Sequence, residues 1–191
     1  MLSTRETEYI DIGLQYYVMA RQAYLCGFVP VGPNQFHHAF EMLLKAKFIE
    51  VGQAPEDLKK KYGHSLTKLW TDFKGVAKGM PAGPAPQLAP HDSLVSQVHA
   101  WEDVRYPNFP AGTSVVMSGS LRKDHVNESS GPAAKGASRY KINLEAMDEL
   151  FAAVVAAWPL SPSYIRSWLS VHRGALEIYE RENQHPIPDS P

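Results

Sequence analysis

The sequence predicts an all-α fold: an up-and-down helical bundle of about five to six helices, with a small β-hairpin or extended insertion between the last helices. Three observations carry that prediction. The stretch Asn34–Gly52, NQFHHAFEMLLKAKFIEVG, repeats apolar residues at helical spacing on almost every side. Clusters of Gly and Pro, rather than alternating strand patterns, separate it from its neighbours. The chain also carries helix-start chemistry, beginning with Ser3-Thr4-Arg5-Glu6, which has the spacing of a capping box.

Within Asn34–Gly52, Phe36, Phe40, Leu43, Leu44, Phe48 and Val51 share one broad face, and Met42 and Ile49 occupy the opposite flank. Only His38, Glu41 and Lys45 remain as a narrow polar strip. A helix this apolar belongs in the middle of a bundle, so the strip must be paired or solvated through a cleft. Glu41 followed by Lys45 is the favourable i,i+4 order, worth about 0.2–0.5 kcal/mol on an open helix. The other reading is that His38, Glu41 and Lys45 line a groove for a ligand or partner.

The first helix is expected over Thr4–Cys26, with Ile10, Leu14, Tyr17, Val18, Tyr24 and Leu25 in its stripe. Arg21 falls within that stripe, its stem packed and its head reaching water or a carboxylate. Cys26 reads as a small buried thiol. Gly27, Pro30, Gly32 and Pro33 then break the pattern before the central helix. Pro55-Glu56-Asp57 opens a short helix that ends at Tyr62 before Gly63. HSLTKLW restarts a helix, with Leu66, Leu69, Trp70 and Phe73 inward.

Seven Gly and Pro breakers between Gly75 and Pro90 predict a flexible loop over residues 75–91. Asp92 or Ser93 caps the next helix, which Pro107 stops near Val104 or Arg105. Arg105 continues the stripe of Leu94, Val98 and Trp101, where it can stack on Trp101 or form a local ion pair. Residues 113–121 and 138–144 lean towards β structure, with a second flexible loop at 122–138 between them. Asn143 caps a helix through Trp158, Pro162 starts the last helix to about Asn183, and 184–191 form a tail.

These elements make a single domain over residues 1–183. A formal net charge of −1 gives no broad attraction to nucleic acid, so any RNA contact must come from a local patch. The absence of a signal-peptide pattern and of a long apolar run makes the cytoplasm the expected location, with no membrane contact. His37 with Glu41, and His99 with Glu102 or Asp103, have helical ligand spacing. No third ligand is evident, so neither a metal nor another cofactor is expected. There is no phosphate-cradling glycine loop and no serine nucleophile elbow.

Four pieces in order resemble the HEPN (higher eukaryotes and prokaryotes nucleotide-binding) superfamily. They are QYYVMARQAYL, HHAFEMLLKAKFIEVG, GHSLTKLW and WEDVRYPNF. The resemblance spans residues 8–109 and implies a helical bundle, often a homodimer. It further implies either a non-catalytic domain that binds a nucleotide, RNA or protein, sometimes beside a nucleotidyltransferase or in a toxin–antitoxin system, or a metal-independent ribonuclease. A purely structural accessory subunit is the third reading.

For the binding reading the candidate residues are His38, Glu41 and Lys45, joined by Arg105 and Tyr106 if the bundle resembles the family's. The ribonucleases of the family pair an arginine with a histidine a few residues on, the arginine stabilising phosphate charge and the histidine moving a proton. Arg166 and His172 match that spacing. In one regular helix, however, they lie about 120° apart, with Arg166 on the solvated face and His172 on the core side. Binding without catalysis is therefore the leading expectation.

Overall fold

The computed structural model describes residues 3–28, 31–78, 87–104, 115–123, 138–158, 160 and 162–188. Among them are eight α-helices, and the protein is an all-α bundle. Helix α1 (Thr4–Leu25) opens on the capping box: the Glu6 amide donates to Ser3 Oγ and the Ser3 amide to the Glu6 carboxylate, both at 3.2 Å. The central helix α2 (Val31–Glu50) starts three residues before Asn34. Pro33 is tolerated there because the first-turn amides of a helix have no intrahelical partner.

Helix α2 is the central stave, in contact with α1, with α3 (Pro55–Tyr62), α4 (Leu66–Lys78) and α5 (Asp92–Val104), and with α6 (Leu144–Ala157). Phe36, Ala39, Leu43 and Ala46 are fully buried on it. Its approach to α1 is tight because the facing residues are small. A Cβ placed on Gly13 would lie 2.8 Å from Leu43 Cγ and 3.3 Å from the Ala39 carbonyl. The aromatic core continues from α1 into the second half, where Tyr17 stacks on Phe151 with ring centroids 3.9 Å apart. Val51, placed on the apolar face by periodicity, lies past the end of α2 and is exposed.

Several expectations are corrected. The two extended segments β1 (Val115–Ser120) and β2 (Ser138–Asn143) form a parallel pair, not a hairpin, with Val115 opposite Ser138 and Ser120 opposite Asn143. A hairpin needs a tight turn, whereas residues 121–137 give the dozen or more positions that a parallel crossover requires. The expected single last helix is two: α7 (Pro162–Val171) and α8 (Ala175–Glu180). Gly174 between them adopts φ +78°, a left-handed conformation that stops a helix. Cys26 is exposed rather than buried, with Gln22 Nε2 donating to its sulfur at 3.2 Å.

Other boundaries agree closely with the sequence reading. Helix α3 has the expected bounds, and Asn143 caps α6 by accepting from the Ala146 amide at 2.8 Å. Asp92 begins α5, but its carboxylate binds Trp70 Nε1 and Lys74 instead of the helix start. In the expected loop 75–91, α4 runs to Lys78 and Ala89–His91 form a 3-10 turn. Residues 79–86 of that loop, and residues 124–137 of the second, lie outside the described residues. The tail packs in part: Ile187 is buried and its amide donates to Tyr179 Oη at 2.8 Å. No described helix is long and apolar enough to cross a membrane.

Candidate functional site

The polar strip of α2 is buried rather than open. Glu41 is 1% exposed and Lys45 7%. Lys45 Nζ donates to Glu41 Oε1 at 2.5 Å and to the Gly63 carbonyl at 2.9 Å. One residue further along the same turn, His37 Nε2 meets the His64 carbonyl at 3.1 Å. A carbonyl only accepts, so His37 Nε2 carries the proton. What Glu41 and Lys45 hold between them is thus the α3–α4 corner of their own chain. Gly63 makes the corner with φ +55° and ψ −116°, where a Cβ is strained.

The other oxygen of Glu41 gathers imidazoles. His64 Nδ1 lies 3.2 Å from Oε2, and His38 Nδ1 and His37 Nε2 each lie 3.8 Å away. Burial alone would push the Glu41 carboxyl up. Hydrogen bonds from His38, Lys45 and His64 and the Lys45 charge more than offset it, leaving the group at about 2. Glu41 is therefore an anion at neutral pH, and the His64 Nδ1 facing it is the protonated nitrogen. His64 Nε2 then points away from the carboxylate, on a side chain 67% exposed.

Behind this layer, His37 Nδ1 faces Glu102 at 4.0 Å and its ring lies 5.7 Å from that of His99. The Nδ1 atoms of His37 and His99 are buried without a hydrogen-bond partner. Burial is the largest influence on His37 and drives its pKa down, against the pull of Glu102 and Glu41. The two His/carboxylate pairs noted by spacing are thus brought together. Even so, no group of three or more His, Cys, Asp or Glu among the described residues is placed to hold a metal ion.

On the outer side of the corner the chain reads KKKYGHSLTK from Lys59 to Lys68, with four lysines, one histidine and no acid. Lys59, Lys60, Lys61, His64 and Lys68 are all exposed. Lys61 is engaged by Asp72 at 2.8 Å and lies 4.8 Å from the centre of the Tyr62 ring. Lys59, Lys60 and Lys68 have no ion pair among the described residues. The charge run was readable in the sequence, but its relation to Glu41 and Lys45 was not, because α2 and the corner meet only in the fold.

Of the sequence-predicted residues, His38, Glu41 and Lys45 meet at this corner, with His38 against Tyr16 at 5.3 Å between ring centroids. Arg105 and Tyr106 lie outside the described residues. Arg166 pairs with Glu180 at 3.1 Å. His172, exposed instead of core-facing, stacks on Trp168 at 4.0 Å and meets its carbonyl at 2.7 Å through Nδ1. The break at Gly174 accounts for that exposure, since His172 lies beyond the last turn of α7. A separate cleft of about 320 Å³ between α1, α2 and α8, lined by Val18, Met19, Gln22, Phe28, Val31 and Ile178 among others, carries no titratable group.

The fold and this corner define an all-α helical-bundle protein with a local cationic surface. No protein-family model matches the chain, and neither a curated protein nor a solved structure is significantly similar to it.

Proposed function

We propose that the protein is an HEPN-like helical domain that works by binding, and that the α3–α4 corner docks an extended polyanion, RNA in the first instance. The observation that carries this reading is the set of exposed, unpaired lysines Lys59, Lys60 and Lys68 on a corner fixed from beneath by Glu41 and Lys45. Lysines on a solvated surface bind phosphates chiefly through counterion release, which suits a chain of net charge −1 with one cationic corner. In this reading Glu41 and Lys45 shape the surface and make no ligand contact. The HEPN resemblance extends the proposal to a homodimer and to an accessory role beside a nucleotidyltransferase or in a toxin–antitoxin pair.

Fluorescence anisotropy with a labelled single-stranded RNA tests the proposal. Three phosphate contacts give a slope of log Kobs against log salt of about −2. Replacing Lys59, Lys60 and Lys68 together by Glu is expected to weaken binding at least tenfold and flatten that slope. Unchanged affinity in the triple variant overturns the docking surface.

A further inference from the structure

We propose that the outward face of α1 is the interface between two copies of this chain, paired antiparallel about a two-fold axis at Met19. The inference gives the homodimer of the proposed function a surface, and it makes no use of the lysine corner.

After Thr4 the exposed residues of α1 are Arg5, Glu8, Ile12, Gln15, Met19 and Gln22, and Cys26 follows at the helix end. Their alternating steps of three and four trace one straight stripe, the geometry of a helix–helix seam. Any helix on a bundle shows such a stripe; this one differs in its chemistry. Charge is confined to Arg5 and Glu8. From Ile12 to Phe28 no charged residue is exposed, because Arg21, the only one in that stretch, is buried against Asp148. Met19 is 56% and Phe28 61% exposed, with Ile12 and Val31 also open. Beside the stripe lies the cleft of about 320 Å³, lined by Val18, Met19, Phe28, Val31 and Ile178 among others. Large apolar side chains around an uncharged hollow have the composition of an interface centre, from which charge is depleted.

The pattern also names the occupant. From Ile12 to Cys26 the stripe runs apolar, amide, apolar, amide, apolar, and it reads the same backwards about Met19. A two-fold interface requires that palindrome, because residue i must suit j and j must suit i. Antiparallel pairing sets Met19 against the partner's Met19 and Ile12 against the partner's Cys26. Gln15 then falls beside the partner's Gln22, where each amide can both donate and accept. Each Ile12 is brought to the Cys26 end of the other copy, where Phe28 and the cleft supply apolar cover. Parallel pairing would instead set Arg5 against the partner's Arg5 and Glu8 against the partner's Glu8, like charges that repel. Antiparallel pairing leaves both at the rim.

Sedimentation velocity of the full chain is expected to give twice the monomer mass of 21.3 kDa across the micromolar range. Met19→Glu puts two carboxylates on the axis and is expected to weaken the dimer about a hundredfold or more. Its helical circular dichroism should match the wild type, because Met19 is mostly exposed in the single chain. Crosslinking fixes the direction independently of that variant. Cys26 lies seven residues from Met19, so an antiparallel pair holds its two copies about 21 Å apart. The wild type is therefore expected not to link through a short bismaleimide, whereas Met19→Cys in a Cys26→Ser background is expected to link readily. A monomeric wild type overturns the seam and the homodimer together while leaving RNA docking standing. A dimer that persists in Met19→Glu, or no linkage in Met19→Cys with Cys26→Ser, overturns the seam alone. Linkage of the wild type through Cys26 overturns the antiparallel pairing.

Discussion

Arg21 and Asp148 form an ion pair in which both side chains are 0% exposed. The arginine whose head was expected to reach water or a carboxylate reaches the carboxylate, sealed between α1, α6 and α8, and also donates through Nε to the Ile178 carbonyl at 3.1 Å and through Nη2 to the Arg181 carbonyl at 2.5 Å. Tyr17 Oη donates to Asp148 at 2.6 Å. Removing one charge leaves the other buried and uncompensated. Asp148→Asn is therefore expected to cost about 3–5 kcal/mol, and Arg21→Met a similar amount. Urea denaturation checks this. The double replacement Arg21→Met with Asp148→Leu is expected to cost less than the sum of the singles.

Acid sensitivity is expected in two steps. Burial lowers the folded pKa of His37 below the ordinary histidine value of 6.5, so the unfolded chain takes up a proton that the folded one resists. Stability then falls as pH drops below about 6.5. The folded Glu41 carboxyl is at about 2 against an ordinary glutamate value of 4.5, so its contribution is complete above 4.5 and is lost between 4.5 and 2. Urea midpoints measured across pH should show both losses. His37→Gln should blunt the first and Glu41→Gln the second; a profile unchanged in Glu41→Gln contradicts the assignment.

Lys45 serves Glu41 and Gly63 at once, and its methionine replacement strips both. Lys45→Met is expected to destabilise by on the order of 3 kcal/mol, because a buried carboxylate loses its cation and the Gly63 carbonyl its donor. Gly63→Ala should cost about 1–3 kcal/mol through backbone strain alone, leaving the Glu41–Lys45 pair intact. Comparing melting temperatures of the two variants with the pH dependence of each separates the causes. Only Lys45→Met should alter the loss between pH 4.5 and 2.

Arg166 and His172 are expected not to cleave RNA. Arg166 is held by Glu180, and His172 Nδ1 is engaged by the Trp168 carbonyl. Mixed RNA incubated with the protein in EDTA should be recovered intact, and His172→Ala should change nothing. Cleavage lost on that substitution would reinstate the ribonuclease reading.

The helices were legible because their signals are local. The capping box at Ser3–Glu6, Pro55 at a first turn and Asn143 before α6 each fix a boundary within a few residues. Strand direction was not legible, since β-leaning runs around a long polar segment fit a hairpin and a crossover alike. Gly174 reads as an ordinary glycine inside a helical pattern until its φ is known. At the site, the pairing of Glu41 with Lys45 followed from i,i+4 spacing. Their shared hold on Gly63 and His64 did not, because it spans 18 to 23 positions of sequence. Lys59, Lys60 and Lys68 show the opposite failure: visible as a charge run, they gain meaning only beside that latch.

The seal around Arg21 also bears on synthesis. Its carbonyl partners lie 157 and 160 positions downstream, so a chain emerging N-terminus first carries this guanidinium without them until nearly the last helix has been made. Helices α1 and α2 can meet early through Gly13 and Ala39, whereas Arg21 keeps one side of α1 hydrated and unclosed. The hydrogen bonds that seal Arg21 therefore form only once α8 has been made.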